Sequence, residues 1–402
     1  MPSPLHPMFR LERPRDFRIS LGLALAALVV GTVGVLQVIG FGQHGALTNY
    51  VPWGLWVGIY VYLVWLEVGM ILSYFVLRRV LGVEAIAKLG PIVILAALSA
   101  LIGALVIIGM DLGHPFRFWK AYVFPNFGSL MTWMIWLHSA YLLLLVGELF
   151  AYREGKPELL RWLTYISIPA GVVLISVIGG LFGVIAARPF WNASVLPLMF
   201  FISSLVAGLG LLTLLHLLFS PTAGTPAYAE TAVRLGRFFA AGIVVGMIAA
   251  AANLLVISYP NVPAHAEGLR LMLFGPFAWT FWGVHVFGGL IVPLVLLVFF
   301  PRNLRAIGVA AALMVVTFVM VPVNIVIPGL AYPTPDLAGL KEAFRHPRLT
   351  FDYVPDLTEW LVVAFAAGLA LAIFTLGYRF VIEPYLRRTY RTPAAGSAPP
   401  AA

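Results

Sequence analysis

Residues 111–120 read DLGHPFRFWK and place one acid, one histidine, two cationic and three aromatic side chains between two long apolar runs. The preceding run covers residues 91–110 and the following run covers residues 128–150. Each is long enough for a helix that crosses a bilayer, which needs roughly 20 mostly apolar residues. Charged and aromatic residues gather where such helices leave the hydrocarbon. The stretch, here called the 111–120 loop, therefore predicts a membrane exit between two spanning helices.

The composition of the whole chain supports a membrane protein. Of its 402 residues 61% are hydrophobic and 10% are charged, whereas soluble domains carry about 25% charged residues. The formal net charge is +9, but the basic residues stand mostly at the ends of apolar runs. Nucleic-acid binding requires a basic stripe or patch. The sequence therefore predicts a polytopic membrane protein with no nucleic-acid partner.

Apolar runs of spanning length recur along the chain. We predict an all-α integral membrane protein with about ten transmembrane helices, arranged as two packed helix bundles plus flanking helices. The membrane domain is predicted over residues 19–384, after a retained cytoplasmic lead at 1–18 and before a cytoplasmic tail at 385–402 that is expected to be disordered. The ten predicted runs are 19–41, 52–77, 91–110, 128–150, 162–187, 194–219, 238–257, 271–299, 306–328 and 359–378.

The distribution of cations predicts the orientation. Most of the 25 Lys and Arg residues lie in segments on the same side as the N-terminus, and cytoplasmic loops carry the excess of such residues. Both termini are therefore predicted to be cytoplasmic. The long connections, residues 111–127 and 329–358, then lie outside, where a soluble partner would dock.

The chain contains no cysteine. It therefore has no thiolate with which to hold an iron–sulfur cluster and cannot form a disulfide. If the protein takes part in redox chemistry, electrons must arrive through another subunit or through a cofactor that needs no thiolate.

Two predicted helices carry carboxylates at a shared spacing from tyrosines. Tyr60 precedes Glu67 by two helical turns, and Tyr141 precedes Glu148 by the same distance, so each pair shares a helix face. Ionisable residues within a membrane are costly and indicate function by default. We predict proton transfer through Glu67, Tyr141 and Glu148. The alternatives are a protonated Glu67 bonded to backbone and a Glu148 that is only an interfacial charge.

Histidines and asparagines complete the set of candidate polar residues. His138 is predicted at mid-membrane directly below the 111–120 loop, as a ligand or proton carrier or as a satisfied structural residue. Asn253 and His285 are secondary candidates for polarising a second cavity. A haem held by His138 and His285 is a further alternative, because the two lie at similar predicted depth.

A quinol head group would use this combination of residues. It releases two protons with two electrons, and it needs hydrogen-bond partners for two oxygens together with an apolar slot for its tail. We predict a pocket in the outer half of helices two to four. Its predicted contacts are Tyr60, Asp111, His114, Arg117 and His138.

Seven motifs occur in an order that resembles a known family. The chain resembles the NrfD/polysulfide-reductase membrane subunits, in particular the long ten-helix branch with the hydrogenase-2 and sulfite-reduction-associated membrane subunits. The motifs are VPWG (51–54), the 111–120 loop, NFGSLMTWMIWLHSAYLLLL (126–145), LPLMFFISSLVAGLGLL (196–212), RLGRFF (234–239), FWGVHVFGGLIVP (281–293) and YVPDLTEW (353–360).

The resemblance implies a subunit of a quinone-linked oxidoreductase in the bacterial inner membrane, acting on menaquinone or ubiquinone without a bound haem or iron–sulfur cluster of its own. It implies two partners, a ferredoxin-like iron–sulfur subunit and a larger molybdopterin, hydrogenase or multihaem cytochrome subunit. Carboxylates that the long branch carries on its second and fourth helices are replaced here by Tyr60 and Trp133. A secondary transporter and a structural anchor without a quinone site remain the alternatives.

Overall fold

The computed structural model describes residues 11–42, 45–259, 263–332 and 350–390, and it is all-helical over those ranges. Ten of its helices are long and apolar enough to cross a membrane, which confirms the predicted fold class. They are α1 Pro14–Phe41, α2 Leu55–Val80, α3 Glu84–Asp111, α4 Leu130–Arg153, α5 Pro157–Gly183, α6 Leu196–Phe219, α7 Pro226–Ser258, α8 Trp279–Phe299, α9 Leu304–Val326 and α10 Leu357–Thr389.

The bounds of α7 and α8 differ most from the apolar runs. Helix α7 begins well before residue 238, because Pro226 occupies its first turn and the side chain of Thr225 accepts a hydrogen bond from the amide of Tyr228. Both residue types are favoured at helix starts. The start of the run at 271 falls instead in a separate helix, Pro263–Leu273. Gly275 and Pro276 separate that helix from α8.

The helices pack as two bundles with two flanking helices, as predicted. Helices α2, α3, α4 and α5 contact one another in the first bundle, and α6, α7, α8 and α9 form the second. Helix α1 packs along α10, which in turn contacts α3. Helix α2 is almost entirely buried and contacts α6 along its length, so it joins the two bundles.

Two glycines permit the close approach of α2 and α6. A Cβ atom added at Gly69 would lie 1.7 Å from the carbonyl oxygen of Ser204, and one added at Gly208 would lie 2.0 Å from the carbonyl carbon of Gly69. Small residues let membrane helices pack backbone to backbone. The two bundles therefore meet at a contact that only glycine accommodates.

The ends of the chain define two ends of the bundle. We call the end at which α1 begins the inner end, and the opposite end, which carries the 111–120 loop, the outer end. Helix α1 starts at Pro14, inside the predicted lead, and α10 continues beyond residue 384. Residues 1–10, 391–402 and most of the predicted 329–358 connection lie outside the described residues.

Candidate functional site

A cavity of about 480 Å³ opens among α2, α3, α4 and the 111–120 loop, in the outer half of the first bundle. Apolar side chains of α3 and α4 form most of its wall, while a few polar side chains from α2 and α4 face into it. Ligand sites for small molecules have this character, with mainly apolar walls and a small number of placed polar groups. The apolar lining includes Leu105, Val106, Ile108, Met134, Ile135 and Leu142.

The predicted residues Tyr60 and His138 meet in this cavity. The Tyr60 hydroxyl lies 3.2 Å from His138 Nε2, and His138 Nδ1 lies 2.7 Å from the carbonyl oxygen of Met134. A carbonyl oxygen only accepts, so Nδ1 must carry a proton and donate it. In the neutral ring Nε2 is then the acceptor for the Tyr60 hydroxyl. The Met134 contact thus sets the ring so that His138 and Tyr60 form one polar pair.

A second polar pair, which the sequence did not reveal, lines the same cavity. The Tyr122 and Ser139 hydroxyl oxygens are 2.6 Å apart, and Ser139 donates to the carbonyl oxygen of Ile135 at 2.9 Å. Because the serine proton is used in that way, Tyr122 donates to Ser139. The one sequence signal for this pair is the position of Ser139 next to His138.

The charged side chains of the 111–120 loop do not line the cavity. Pro115, Phe116 and Phe118 face it instead, whereas His114 and Arg117 are exposed on the surface. The loop thus covers the cavity with apolar and aromatic groups.

The predicted contact Asp111 is likewise absent from the cavity lining, although its neighbours Met110 and Leu112 are part of it. Its Oδ1 atom is buried at the end of α3 and has no hydrogen-bond partner in the part of the chain that the structure describes. Of the five predicted quinone contacts, the structure therefore brings together two, Tyr60 and His138.

Glu67 lies deeper in the first bundle, two turns along α2 from Tyr60. Its side chain is fully buried, and neither carboxylate oxygen has a hydrogen-bond partner among the described residues. A charge on its carboxylate would interact electrostatically with the hydroxyl groups of both Tyr60 and Tyr141. Because the two oxygens have no partners in the described part of the chain, the bond to backbone that the alternative interpretation of Glu67 requires is not seen.

Tyr141 and Glu148 continue toward the inner end. The Tyr141 hydroxyl is buried without a described hydrogen-bond partner, and it lies within electrostatic range of Glu67 and Glu148. Glu148 is only 1% exposed and accepts a hydrogen bond of 2.6 Å from Ser167 Oγ. Glu148 is thus a buried, hydrogen-bonded group near the inner end of α4.

Glu148 also lines a second cavity, of about 270 Å³, at the inner end of the first bundle. Its position completes a series of titratable side chains between the two cavities. Tyr60 lines the outer cavity, Glu67 and Tyr141 are buried between the two, and Glu148 reaches the inner cavity.

The secondary candidates lie in the second bundle. His285 packs between the rings of Phe281 and Phe318, with ring centroids 5.5 Å and 5.8 Å away. The Asn253 Oδ1 atom is buried without a described partner. Neither residue lines the outer or the inner cavity. Within the described ranges no group of three or more His, Asp or Glu residues is arranged to hold a metal ion.

Sequence reasoning missed a buried carboxylate at the outer end. Glu359 is fully buried at the start of α10 and forms a capping box with Asp356. The Tyr353 hydroxyl donates to Glu359 Oε1 at 2.5 Å and accepts from the amide of Leu55 at 2.7 Å. The spacing of Asp356 and Glu359 is the signature of a capping box, so the sequence did contain a signal.

The Tyr353 contact ties the first turn of α2 to α10. Burial, reinforced by the carboxylate of Glu359, raises the pKa of Tyr353. The hydroxyl therefore keeps its proton at neutral pH and remains a donor to Glu359. Because the same oxygen accepts from Leu55, the contact also holds the end of α2 that carries Tyr60.

Residues 45–333 match the family described as Polysulphide reductase, NrfD. The chain belongs to this family. The match covers both bundles, α2 to α9, with the α2–α6 contact, the outer cavity, and the lining of the inner cavity except Tyr385. It confirms the resemblance that the sequence motifs indicated.

Curated relatives extend over most of the chain. A selenate reductase subunit of Mesobacillus selenatarsenatis is 27% identical over 88% of this chain and 91% of its own length. The Hdr-like menaquinol oxidoreductase integral membrane subunit of Archaeoglobus fulgidus is 25% identical, covering 85% and 88%. The menaquinone reductase integral membrane subunit of Nitratidesulfovibrio vulgaris is 22% identical and covers 85% of each.

Proposed function

We propose that this NrfD-family chain is the quinone-interacting membrane subunit of an oxidoreductase complex. It exchanges electrons between membrane quinone and an iron–sulfur subunit docked at the outer end. The observation that carries the proposal is the outer cavity, an apolar chamber in the membrane with the hydrogen-bonded Tyr60 and His138 on its wall. Two of the relatives, a menaquinol oxidoreductase subunit and a menaquinone reductase subunit, support a quinone as the substrate class.

Two polar pairs in the cavity suit the two oxygens of a quinone head group. Tyr60 and His138 would contact one oxygen, and Tyr122 with Ser139 offers hydroxyls for the other. The apolar wall between α3 and α4 would receive the isoprenoid tail. We do not assign His114 and Arg117 to this contact, because they are exposed; they suit the docking of the partner better.

Oxidation of a quinol releases two electrons and two protons, and reduction of a quinone takes them up. The electrons would pass to the iron–sulfur subunit, which in turn serves a larger catalytic subunit such as a molybdopterin enzyme. Protons would leave or enter through His138 and Tyr60, with Glu67, Tyr141 and Glu148 as the series toward the inner end. Because Glu67 and Tyr141 form no direct hydrogen bond, transfer between them requires a bridging water or a side-chain rotation.

The proposal is tested by replacing His138 with leucine in the assembled complex. We expect His138→Leu to lose quinol-linked electron transfer and the quinone that co-extracts with the purified complex, because the leucine supplies no hydrogen-bond partner for the head group. His216→Leu is the matched control, since His216 is also a buried histidine bonded to a backbone carbonyl but lines neither cavity. The measurements are quinol oxidation by the complex and quinone content per complex after lipid extraction.

Three results would contradict the proposal. An assembled His138→Leu complex with unchanged rate and quinone content would show that the outer cavity is not the quinone site. A wild-type complex without stoichiometric quinone and without quinol activity would indicate a structural anchor. Stabilisation of the protein by a small polar solute but by no quinone analogue would favour a transporter.

A further inference from the structure

The inner cavity has a lining unlike that of the outer cavity. Arginines at the inner ends of α2 and α5 line it, together with four tyrosines and seven apolar side chains. Among the described residues that line it, Glu148 is the one acid, and its carboxylate already accepts from Ser167. The cavity thus presents three guanidinium groups against one carboxylate. The arginines are Arg78, Arg79 and Arg161.

The existing contacts of these arginines leave positive charge available to a ligand. Arg78 donates to the Tyr74 hydroxyl at 3.0 Å and lies 3.8 Å from the exposed carboxylate of Glu84. Arg161 pairs with Glu158 on the protein surface. Arg79 is exposed and has no carboxylate within ion-pair distance in the described ranges. Surface ion pairs of this kind contribute little free energy. An anion can therefore compete with the exposed carboxylates for these guanidinium groups.

Aromatic residues place the cavity at the level of lipid headgroups. The exposed rings of Trp162 and Tyr165 lie 6.3 Å apart in an edge-on arrangement beside it, and Tyr165 is part of its lining. Trp and Tyr gather at the membrane–water interface because their rings are apolar with a polar edge. The partly buried Phe75, Leu160 and Ile168 add an apolar side to the cavity. A ligand there would therefore meet cations and an apolar surface together.

We propose that the inner cavity binds a phosphate group, supplied by an anionic phospholipid whose headgroup lies on Arg78, Arg79 and Arg161. Guanidinium groups bind phosphate oxygens with paired, charge-assisted hydrogen bonds. Basic pockets between membrane helices at the inner surface are suited to anionic headgroups. The volume of about 270 Å³ exceeds the roughly 30 Å³ of a single water molecule severalfold, enough for a hydrated phosphate group. The apolar side favours a lipid over free phosphate.

The test uses the full chain, purified in mild detergent with its co-purifying subunits and then stripped of lipid. Phosphatidylglycerol, phosphatidylcholine or inorganic phosphate is titrated, and the shift in unfolding temperature gives the half-saturating concentration. The variant Arg79→Gln/Arg161→Gln removes two exposed cations without disturbing the Arg78–Tyr74 hydrogen bond. We expect phosphatidylglycerol to stabilise the wild type, with half-saturation raised roughly thirtyfold in the variant.

The matched control is Arg302→Gln/Arg305→Gln, which removes two exposed arginines at the same end of the molecule but outside the cavity. It should bind phosphatidylglycerol as the wild type does. If inorganic phosphate alone stabilises the protein and depends on Arg79 and Arg161, the phosphate site stands and its source is soluble. Equal responses to phosphatidylglycerol and phosphatidylcholine without any response to inorganic phosphate, or equal losses in the two double variants, would overturn the proposal.

Discussion

At the residue scale, the direction of one hydrogen bond determines what Tyr60 and His138 can offer a ligand. His138 Nδ1 donates a hydrogen bond to the carbonyl oxygen of Met134, so Nε2 of the neutral ring faces the Tyr60 hydroxyl as an acceptor. A ligand oxygen near the pair can then accept from Tyr60, and a ligand hydroxyl can at the same time donate to the Nε2 that Tyr60 has left. The pair is thereby suited both to a quinone carbonyl, which accepts, and to a quinol hydroxyl, which donates.

This reasoning predicts the effect of Tyr60→Phe. Loss of the hydroxyl removes one hydrogen bond to the head group, which is worth about 0.5–1.5 kcal/mol, or roughly two- to tenfold in quinol affinity. We expect KM for quinol to rise by that factor in the assembled complex. Tyr62→Phe is the control on the same helix, since Tyr62 donates to the carbonyl oxygen of Val315 and does not line the cavity. Equal effects of the two substitutions would refute a specific role for Tyr60.

Glu67 is predicted to transfer protons during turnover without contributing to quinone binding. Glu67→Gln keeps the size of the side chain but cannot carry a proton, so we expect turnover to fall at least about tenfold. Quinone content and unfolding temperature should stay close to those of the wild type. The measurement is quinol oxidation together with quinone content, with Glu67→Asp as the conservative variant that should restore part of the rate. A Gln variant with full turnover would exclude Glu67 from the proton path.

The predicted residues that the structure brings together were found from patterns within single helices. The spacing of Tyr60 and Glu67 on α2 follows from helical periodicity alone. The contact between Tyr60 and His138 depends on how α2 and α4 pack, so the sequence indicated both residues but not their bond. The exposure of His114 and Arg117 could not be predicted from the sequence, because periodicity does not give the direction of side chains in a short loop.

At the scale of elements, the crossing of α2 and α6 holds the two bundles together. Gly69 and Gly208 bring the backbones so close that a methyl group on either would overlap the other helix. This crossing positions α2 against the second bundle, while the Tyr353 contact holds its outer end against α10. The helix that carries Tyr60 and Glu67 is therefore held at its end and along its middle.

We therefore predict that Gly208→Ala destabilises the protein. The added methyl group would displace α2 from α6, and overpacking of this kind costs about 1–3 kcal/mol. The unfolding temperature in detergent should fall, and the quinone content should fall with it. Gly22→Ala is the matched control on α1, because a Cβ atom there meets nothing within 4 Å. If both variants unfold at the wild-type temperature, the crossing does not constrain the fold in the way described.

Apolar runs predicted the bounds of those helices that lie wholly within the hydrocarbon. They did not predict helix ends that extend beyond it. The start of α7 at Pro226 extends beyond the apolar run through turns that carry a Glu230–Arg234 pair. Hydropathy marks only the part of a helix that lies in the hydrocarbon. The capping box of Asp356 and Glu359 marked the start of α10 in the sequence, but the partner Tyr353 and the burial of Glu359 depend on α2 lying nearby.

At the scale of the whole molecule, the first bundle holds a cavity at each end and the titratable series between them. The outer cavity is mainly apolar, whereas the inner cavity carries three arginines and four tyrosines beside its apolar side chains. In the predicted orientation, the outer cavity would face the electron-transfer partner and the inner cavity would lie at the cytoplasmic surface. Composition and periodicity predicted the ten helices, but the cavities follow from packing between helices that are distant in sequence.

The orientation itself is testable because the chain contains no cysteine. A single cysteine introduced by His114→Cys lies in the exposed 111–120 loop, and one introduced by Arg302→Cys lies at the inner end. In bacterial cells with a permeabilised outer membrane, a maleimide that cannot cross the inner membrane should label the His114→Cys protein. The Arg302→Cys protein should be labelled only after the inner membrane is opened.

The same cysteines also report where the partner binds. If the iron–sulfur subunit docks at the outer end, labelling of the His114→Cys protein should slow in the assembled complex, because the partner covers the loop, whereas labelling of the Arg302→Cys protein in opened membranes should not change. Labelling of Arg302→Cys alone in closed cells would invert the orientation and would place the quinone cavity in the cytoplasmic half. In that case the positive-inside excess of the chain would lie on the wrong side, which is energetically disfavoured for Arg-rich short loops.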